Sequence, residues 1–230
     1  MNKFTKYVSL FLVLLITGCW KEENKTYRVF EDGYELYFNP VTGEECYMDE
    51  VVSKGKNGCM KWYAFNDSKT SKKVQLLLSH NTTSIVEWNK DNGNDPDTVL
   101  KQLKEDTKDW KKEIRNTARL IKVKEITKIL GLKDLDNEFG LKYHIHSYDE
   151  NDIISEEGYV WLFDNTSNCL NYGCTEEDYS TYGYWTDTLS SSRYGTAWVI
   201  SGNAMLSQYY VKYADLYGVR PVIKVDKSEF

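Results

Sequence analysis

The sequence predicts an α+β fold, mostly antiparallel β-sheet with two helices. Three observations carry that prediction. Apolar runs of strand length recur between turns containing Gly, Asn and Pro. Apolar residues at helical spacing are confined to residues 95–130. Ten Tyr or Trp residues fall between Tyr179 and Tyr217, where Ile and Leu are few.

The chain opens with Lys3 and Lys6 ahead of the apolar run VSLFLVLLI at residues 8–16, which is short for a permanent membrane span and has the form of a signal peptide. Ile16-Thr17-Gly18-Cys19 then matches the cleavage site of bacterial lipoproteins, where small residues admit the peptidase and the cysteine becomes the acylated N-terminus. Two acyl chains on Cys19 suffice for stable anchoring. The expected organisation is a lipoprotein signal peptide at residues 1–18, a short polar lipidated tether at 19–28, and a single domain at 29–230. The expected location is the extracytoplasmic face of the cell membrane, with the membrane as a partner through the lipid. An ordinary cleaved signal with a chance cysteine, or an uncleaved anchor, are the alternatives.

Loss of residues 1–18 removes Lys3 and Lys6 and shifts the formal charge from −6 to −8. That sign disfavours nucleic acid as a partner. A chain of this length buries roughly 70 % of its unfolded surface, enough for a core without a metal or a second subunit.

Within the domain, residues 34–38 (YELYF) alternate as a half-buried strand does, and the turn cluster NPVTGE follows at 39–44. Residues 60–65 (MKWYAF) and 74–78 (VQLLL) flank a polar run and predict an antiparallel hairpin whose second strand is apolar enough to be central. Asp95 before Pro96 reads as an N-cap with proline at the first helical position, opening a helix to about Trp110 with Val99, Leu103 and Trp110 on one face. The acidic loop at 91–95 lacks the spacing and terminal Glu of an EF-hand, so it reads as turn and cap. A second helix is expected over 123–130, facing Ile126, Ile129 and Leu130 inward and ending at Gly131. Residues 134–152 are charged and aperiodic, a surface loop with one short strand. The last third predicts an antiparallel meander of strands at 184–189, 197–201, 204–209 and 218–225, with Pro221 at a sheet edge or bulge because it has no N–H.

Four cysteines remain after lipidation, and an exported chain sits where disulfides persist. Of three connectivities, the local one, Cys46 with Cys59 and Cys169 with Cys174, is favoured, since both loops hold Gly and Asn residues that permit a tight path. The competing reading makes Cys169 and Cys174 a redox or metal pair. His80, His144 and His146 complete no four-ligand set, and His144 with His146 reads as alternate positions of a strand. Neither a metal nor a cofactor is expected.

The strings MKWYAFND (60–67), VQLLLSHNTTSIVEWN (74–89), YVWLFDNTSNCLNYGC (159–174), YGYWTDT (182–188), AWVIS (197–201) and YGVRPVIKV (217–225) resemble uncharacterised exported proteins of Firmicutes and related bacteria that end in a G-V-R-P-V-I strand. Those proteins are similar, more remotely, to the formylglycine-generating, sulfatase-modifying enzymes and the C-type-lectin-like fold. The resemblance implies a C-type-lectin-like architecture with Trp185 and Trp198 packing under the sheet and Arg220 tying the terminal strand to carbonyls or carboxylates. It departs from the pattern at Lys122, where a Thr or Ser cap is expected. The enzymes bind copper through a cysteine pair of the same gap as Cys169 and Cys174, but there the pair lies just before the terminal strand, whereas here it lies far ahead of Gly218.

The expected function is that of a non-enzymatic binding module for an extracellular glycan or protein, with Tyr182, Tyr209, Tyr210 and Tyr213 offering flat apolar surface. The plainer alternative is that these rings pack a sheet short of aliphatics. A copper oxidase like the formylglycine-generating enzymes, or a hydrolase with a cryptic carboxylate pair, are the enzymatic alternatives. No G-x-S-x-G elbow, Walker loop, H-E-x-x-H helix or dinucleotide fingerprint is present. The glycosylation triplets at Asn24, Asn81 and Asn165 read as coincidence in polar turns.

Overall fold

Alternation sets the first strand. In ELYFN, Leu36 and Phe38 turn inward while Glu35, Tyr37 and Asn39 stay at least partly exposed, giving β1 (Glu35–Asn39). The computed structural model describes residues 26–52, 55–83, 85–131, 159–163, 183–191, 194–201, 205–213 and 217–230. It contains β2 (Glu44–Glu45), β3 (Met60–Phe65), β4 (Lys73–Leu78), α1 (Asp97–Asp106), α2 (Lys112–Arg115), α3 (Val123–Ile129), α4 (Val160–Phe163), β5 (Gly183–Leu189), β6 (Thr196–Ser201), β7 (Met205–Tyr210), β8 (Tyr217–Gly218) and β9 (Val222–Asp226). The fold is α+β and mostly antiparallel, as expected.

A five-stranded sheet runs β2-β1-β3-β4-β9, antiparallel throughout, and a four-stranded sheet runs β7-β6-β5-β8. The expected hairpin of β3 and β4 forms with Trp62 opposite Leu78, and β4 is central, which is why its last three residues are all buried. Its side chains alternate between two cores. Leu76 and Leu78 join Phe38, Met60, Trp62, Ile223 and Trp110 on the outer face. Leu77 joins Tyr63, Phe65 and Val222 against Tyr184, Trp198 and Ile200 of the second sheet, with Ile126 and Leu130 from the α3 region. The far face of the second sheet carries Trp185 and Val199 against Trp88, Val99 and Leu103. Trp185 and Trp198 therefore both pack under a sheet, on opposite faces.

Close approach of the two central strands of the second sheet requires glycine at 183. A Cβ there would lie 1.7 Å from the Ile200 carbonyl oxygen, so any side chain would force β5 off β6. Gly131 ends α3 with φ +65°, as its position predicts. At the other end of α3, Lys122 supplies no capping side chain; instead the Glu125 carboxylate accepts from the Lys122 backbone N–H at 3.0 Å.

Several expectations are corrected. Among the described residues there are four α-helical segments, not two, because α2 and α4 are single turns of four residues whose period is too short to register in the sequence. Asp95 does not cap α1. Pro96 occupies the cap position, and the Asp95 carbonyl is bonded instead by the Asp97 N–H and by Asn89 Nδ2. The helix stops at Asp106, so Trp110 leaves the face shared by Val99 and Leu103 and enters the outer core beside Trp62. The first three strands of the last third form the expected meander, but residues 218–225 are not its fourth strand. Tyr217–Gly218 pairs parallel to β5, and Val222–Asp226 crosses to the other sheet beside β4. Arg220 and Pro221 make the crossing. Pro221 has no N–H for a ladder, and its carbonyl accepts from the Leu78 N–H at 3.0 Å.

The Cys46–Cys59 disulfide joins the end of β2 to the start of β3 with a Cα–Cα distance of 6.0 Å. Residues 134–152 with His144 and His146, the pair Cys169 and Cys174, and Cys19 with its tether to residue 25 lie outside the described residues. No helix among the described residues is long and apolar enough to cross a membrane.

Closing a loop of 13 residues' separation restricts the unfolded chain by about 3 kcal/mol. Replacing Cys46 and Cys59 together by Ser lowers the urea midpoint by the equivalent of that amount in equilibrium unfolding. An unchanged midpoint would show that the cross-link adds nothing.

Candidate functional site

Residues 79–83, SHNTT, leave the end of β4 as a polar run, yet all of them except Thr83 are buried. Burial of that much polarity requires partners for every group. The Ser79 and Thr82 N–H groups donate to the Lys61 and Val219 carbonyls, and Asn81 Nδ2 donates to the Gly183 carbonyl at 2.9 Å. Asn81 is thereby held inside the fold, its amide engaged with β5.

Arg220 lies within the same belt and is 0 % exposed. Its Nε donates to the Leu78 carbonyl at 2.5 Å, one terminal nitrogen to Leu162 at 2.8 Å and the other to Trp161 at 2.9 Å. The guanidinium sits 4.9 Å from the Tyr184 ring centroid, and the Tyr184 hydroxyl also donates to the Leu162 carbonyl. The resemblance implied a guanidinium held by carbonyls or carboxylates, and the partners are carbonyls. Burial raises the pKa of Tyr184, so its hydroxyl keeps its proton.

His80 is also fully buried, and burial, reinforced by the Arg220 charge, pushes its pKa down to about 4. The neutral ring donates from Nε2 to the Gly55 carbonyl at 2.9 Å, which leaves Nδ1 as the acceptor facing Ser79 Oγ at 3.4 Å. Asp106, at the end of α1, is buried and accepts from Thr82 and Thr83 hydroxyls at 2.7 Å each, from Gln102 Nε2 at 2.8 Å and from Lys56 Nζ at 2.6 Å. Gly55 and Lys56 belong to the loop closed by the disulfide, and the Lys56 carbonyl accepts from Trp110 Nε1. His80 and Asp106 therefore fasten that loop to the core. Their donors and lone pairs are engaged in that task.

Four tyrosines, Tyr209 and Tyr210 of β7, Tyr213 just after it and Tyr217 of β8, lie together against the second sheet. Trp185, its Nε1 bonded to the Val86 carbonyl at 2.7 Å, seats Tyr217 and Tyr209, with ring centroids at 5.3 and 6.3 Å. Tyr209 in turn contacts Tyr217 at 5.0 Å and Tyr213 at 6.2 Å, and Tyr213 contacts Tyr210 at 5.6 Å. Tyr210 and Tyr213 are 38 % and 44 % exposed, whereas Tyr209 is half-buried. Of the four tyrosines expected to bind, three are thus in one chain of rings, the inner one packed on the core; Tyr182 lies outside the described residues. Tyr217 was not singled out as a binding residue in the sequence, where it closes the Tyr- and Trp-rich stretch just ahead of the strand expected at 218–225. Asp106 was missed for a different reason, since its hydroxyl partners are more than twenty residues away. Among the described residues no three His, Cys, Asp or Glu side chains converge to hold a metal ion.

Comparison of the chain with protein-family models, with curated proteins and with solved structures finds no match.

His80 makes stability depend on pH. Its native pKa of about 4 lies below the ordinary 6.5, so the unfolded chain takes up a proton first as pH falls. The contribution is fully present above pH 6.5, is lost progressively down to about pH 4 and amounts to about 3 kcal/mol. Over that interval, chemical denaturation of a His80→Gln variant shows a decline in stability smaller than wild type by about this amount. Parallel pH profiles would contradict the assignment.

Proposed function

We propose that this chain is a lipid-anchored protein of the extracytoplasmic membrane face whose folded region is a non-catalytic binding module of C-type-lectin-like architecture. The ligand is an extracellular glycan or protein, and no cofactor takes part. The lipoprotein cleavage site ending at Cys19 supports the anchor, and the Cys46–Cys59 disulfide accords with an oxidising compartment. The likeness to exported G-V-R-P-V-I proteins supports the lectin-like architecture. Two mostly antiparallel sheets joined through the terminal G-V-R segment accord with it.

The binding role rests on one observation. Tyr210 and Tyr213 pair in the open at 5.6 Å while Tyr209 roots them on Trp185 and Tyr217. Rings held in this way present apolar faces and hydroxyls at small entropic cost, as suits a sugar ring or a protein hot spot.

Mass spectrometry of the membrane fraction is expected to find Cys19 as a diacylated N-terminus; an unmodified Cys19 or another N-terminus would refute the anchor. On glycan and peptidoglycan arrays probed with detergent-solubilised full chain, replacing Tyr210 and Tyr213 by Ala is expected to weaken any captured ligand at least tenfold. Because both rings are half exposed, the unfolding midpoint should move little. Undiminished capture by the double variant would remove these tyrosines from the site.

A further inference from the structure

A second surface lies on the five-stranded sheet and is of opposite chemical character to the tyrosine cluster. Side chains on β4 and β9 alternate, and the parity that sends Leu77 and Val222 into the core between the sheets also brings Lys73, Gln75 and Lys224 to that face, beyond the margin of the core. Gln75 stands directly opposite Lys224, and Lys73 opposite Asp226. Together with Asn66, Ser71 and Lys72 these residues line a groove of about 350 Å³.

The charge in this groove is unbalanced. Lys72 takes Asp226 at 3.2 Å, and Asp226 Oδ1 is further committed to the Ser228 N–H and hydroxyl. The neighbouring Arg119 is neutralised by Glu125, which it meets at 2.6 and 2.8 Å. Among the described residues neither Lys73 nor Lys224 makes an ion pair: the Asp226 that stands opposite Lys73 is taken by Lys72, and the residue opposite Lys224 is the neutral Gln75. Both lysines are exposed and lie on diagonally adjacent sites of paired strands, within reach of one bound anion. This arises in a chain whose formal charge is −6, so general basicity does not account for it.

The groove is also preorganised. Arg119 holds Gln75 Oε1, which turns the Gln75 amide nitrogen to the side from which it can donate. The turn forming the opposite wall is anchored by a buried ion pair, Lys227 with Asp67 at 2.8 Å, and Lys227 Nζ also donates to the Arg28 and Ser68 carbonyls. Asn66, in that wall, adopts φ +50° and is fixed by its N–H donating to Asp32. No aromatic ring lines the groove, so a ligand would be read by charge and hydrogen bonding.

We propose that this groove binds a compact phosphate-bearing oligoanion, with Lys73 and Lys224 each engaging an anionic oxygen and Gln75 donating between them. The chemistry is shared by a free phosphate oligomer and by the phosphodiester of a lipid headgroup. The proposal does not depend on the tyrosine surface, and substitutions at Tyr210 and Tyr213 leave the groove untouched.

The test is calorimetric titration of the full chain in a neutral detergent at low ionic strength, with tripolyphosphate and, separately, with glycerophosphoglycerol as the headgroup. Saturable binding of tripolyphosphate is expected, weakening with added salt. The K73Q/K224Q pair should weaken it at least tenfold, K73R/K224R should restore it, and K101Q/K104Q on α1 should leave it unchanged. Thermal unfolding of K73Q/K224Q should stay close to wild type, since both side chains are exposed and neither makes an ion pair among the described residues. If glycerophosphoglycerol binds more tightly and is lost in the same variant, the groove is assigned to lipid headgroups. Failure of both ligands to bind, or binding indifferent to K73Q/K224Q, overturns the proposal.

Discussion

The Arg220 guanidinium is the constraint on which the arrangement of the two sheets depends. A cation with no exposure is costly unless oriented dipoles replace its water, and three backbone carbonyls do so here. Those carbonyls belong to the end of β4 and to α4, while the arginine itself lies in the three-residue crossing from β8 to β9. One side chain thus fixes where the chain leaves the second sheet and where it joins the first. The rest of the belt follows. Tyr184 lies against the cation, and its β5 neighbour Gly183 must be glycine for β5 to approach β6. His80 must stay neutral beside a positive charge it cannot escape.

Burial of this belt decides which polar residues remain at the surface. His80, Asp106, Asn81 and the threonines beside it have the chemical character of site residues, but each is consumed in fastening the disulfide loop, α1 or β5 to the core. Among the described residues, two surfaces of contrasting chemistry stand out. On the four-stranded sheet, rings are stacked outward from Trp185. On the five-stranded sheet, lysines converge without matching carboxylates. Each is rigid because it grows out of a packed core: the tyrosines from the cluster around Trp185, the lysines from two strands paired in register.

Elements whose signal is contained in a short window were legible. The hairpin of β3 and β4 follows from two apolar runs around a polar turn, α3 from three apolar residues and Gly131, and the local disulfide from two cysteines around a glycine-containing loop. Grouping of Tyr209, Tyr210 and Tyr213 followed from composition, but which ring is rooted and which exposed did not. That depends on Tyr217 and Trp185, and Tyr217 reaches the cluster only because β8 pairs parallel to β5. Asp95 misled for a local reason. Its side chain is a good cap in isolation, but Pro96 takes the cap position and Asn89 binds the Asp95 carbonyl, so the chain enters α1 along another path.

Sequence alone determined most strand and helix periods, turn positions and the mostly antiparallel α+β class, because each is written in residues within about ten positions of one another. Tertiary structure alone decided that the terminal GVRPVIKV segment divides between two sheets, that Arg220 meets carbonyls rather than carboxylates, and that Lys73 and Lys224 become neighbours. The physical reason is that strand partnership and charge pairing join residues far apart in the chain. Their energies arise only when both faces of β4 are buried at once, which no local pattern encodes.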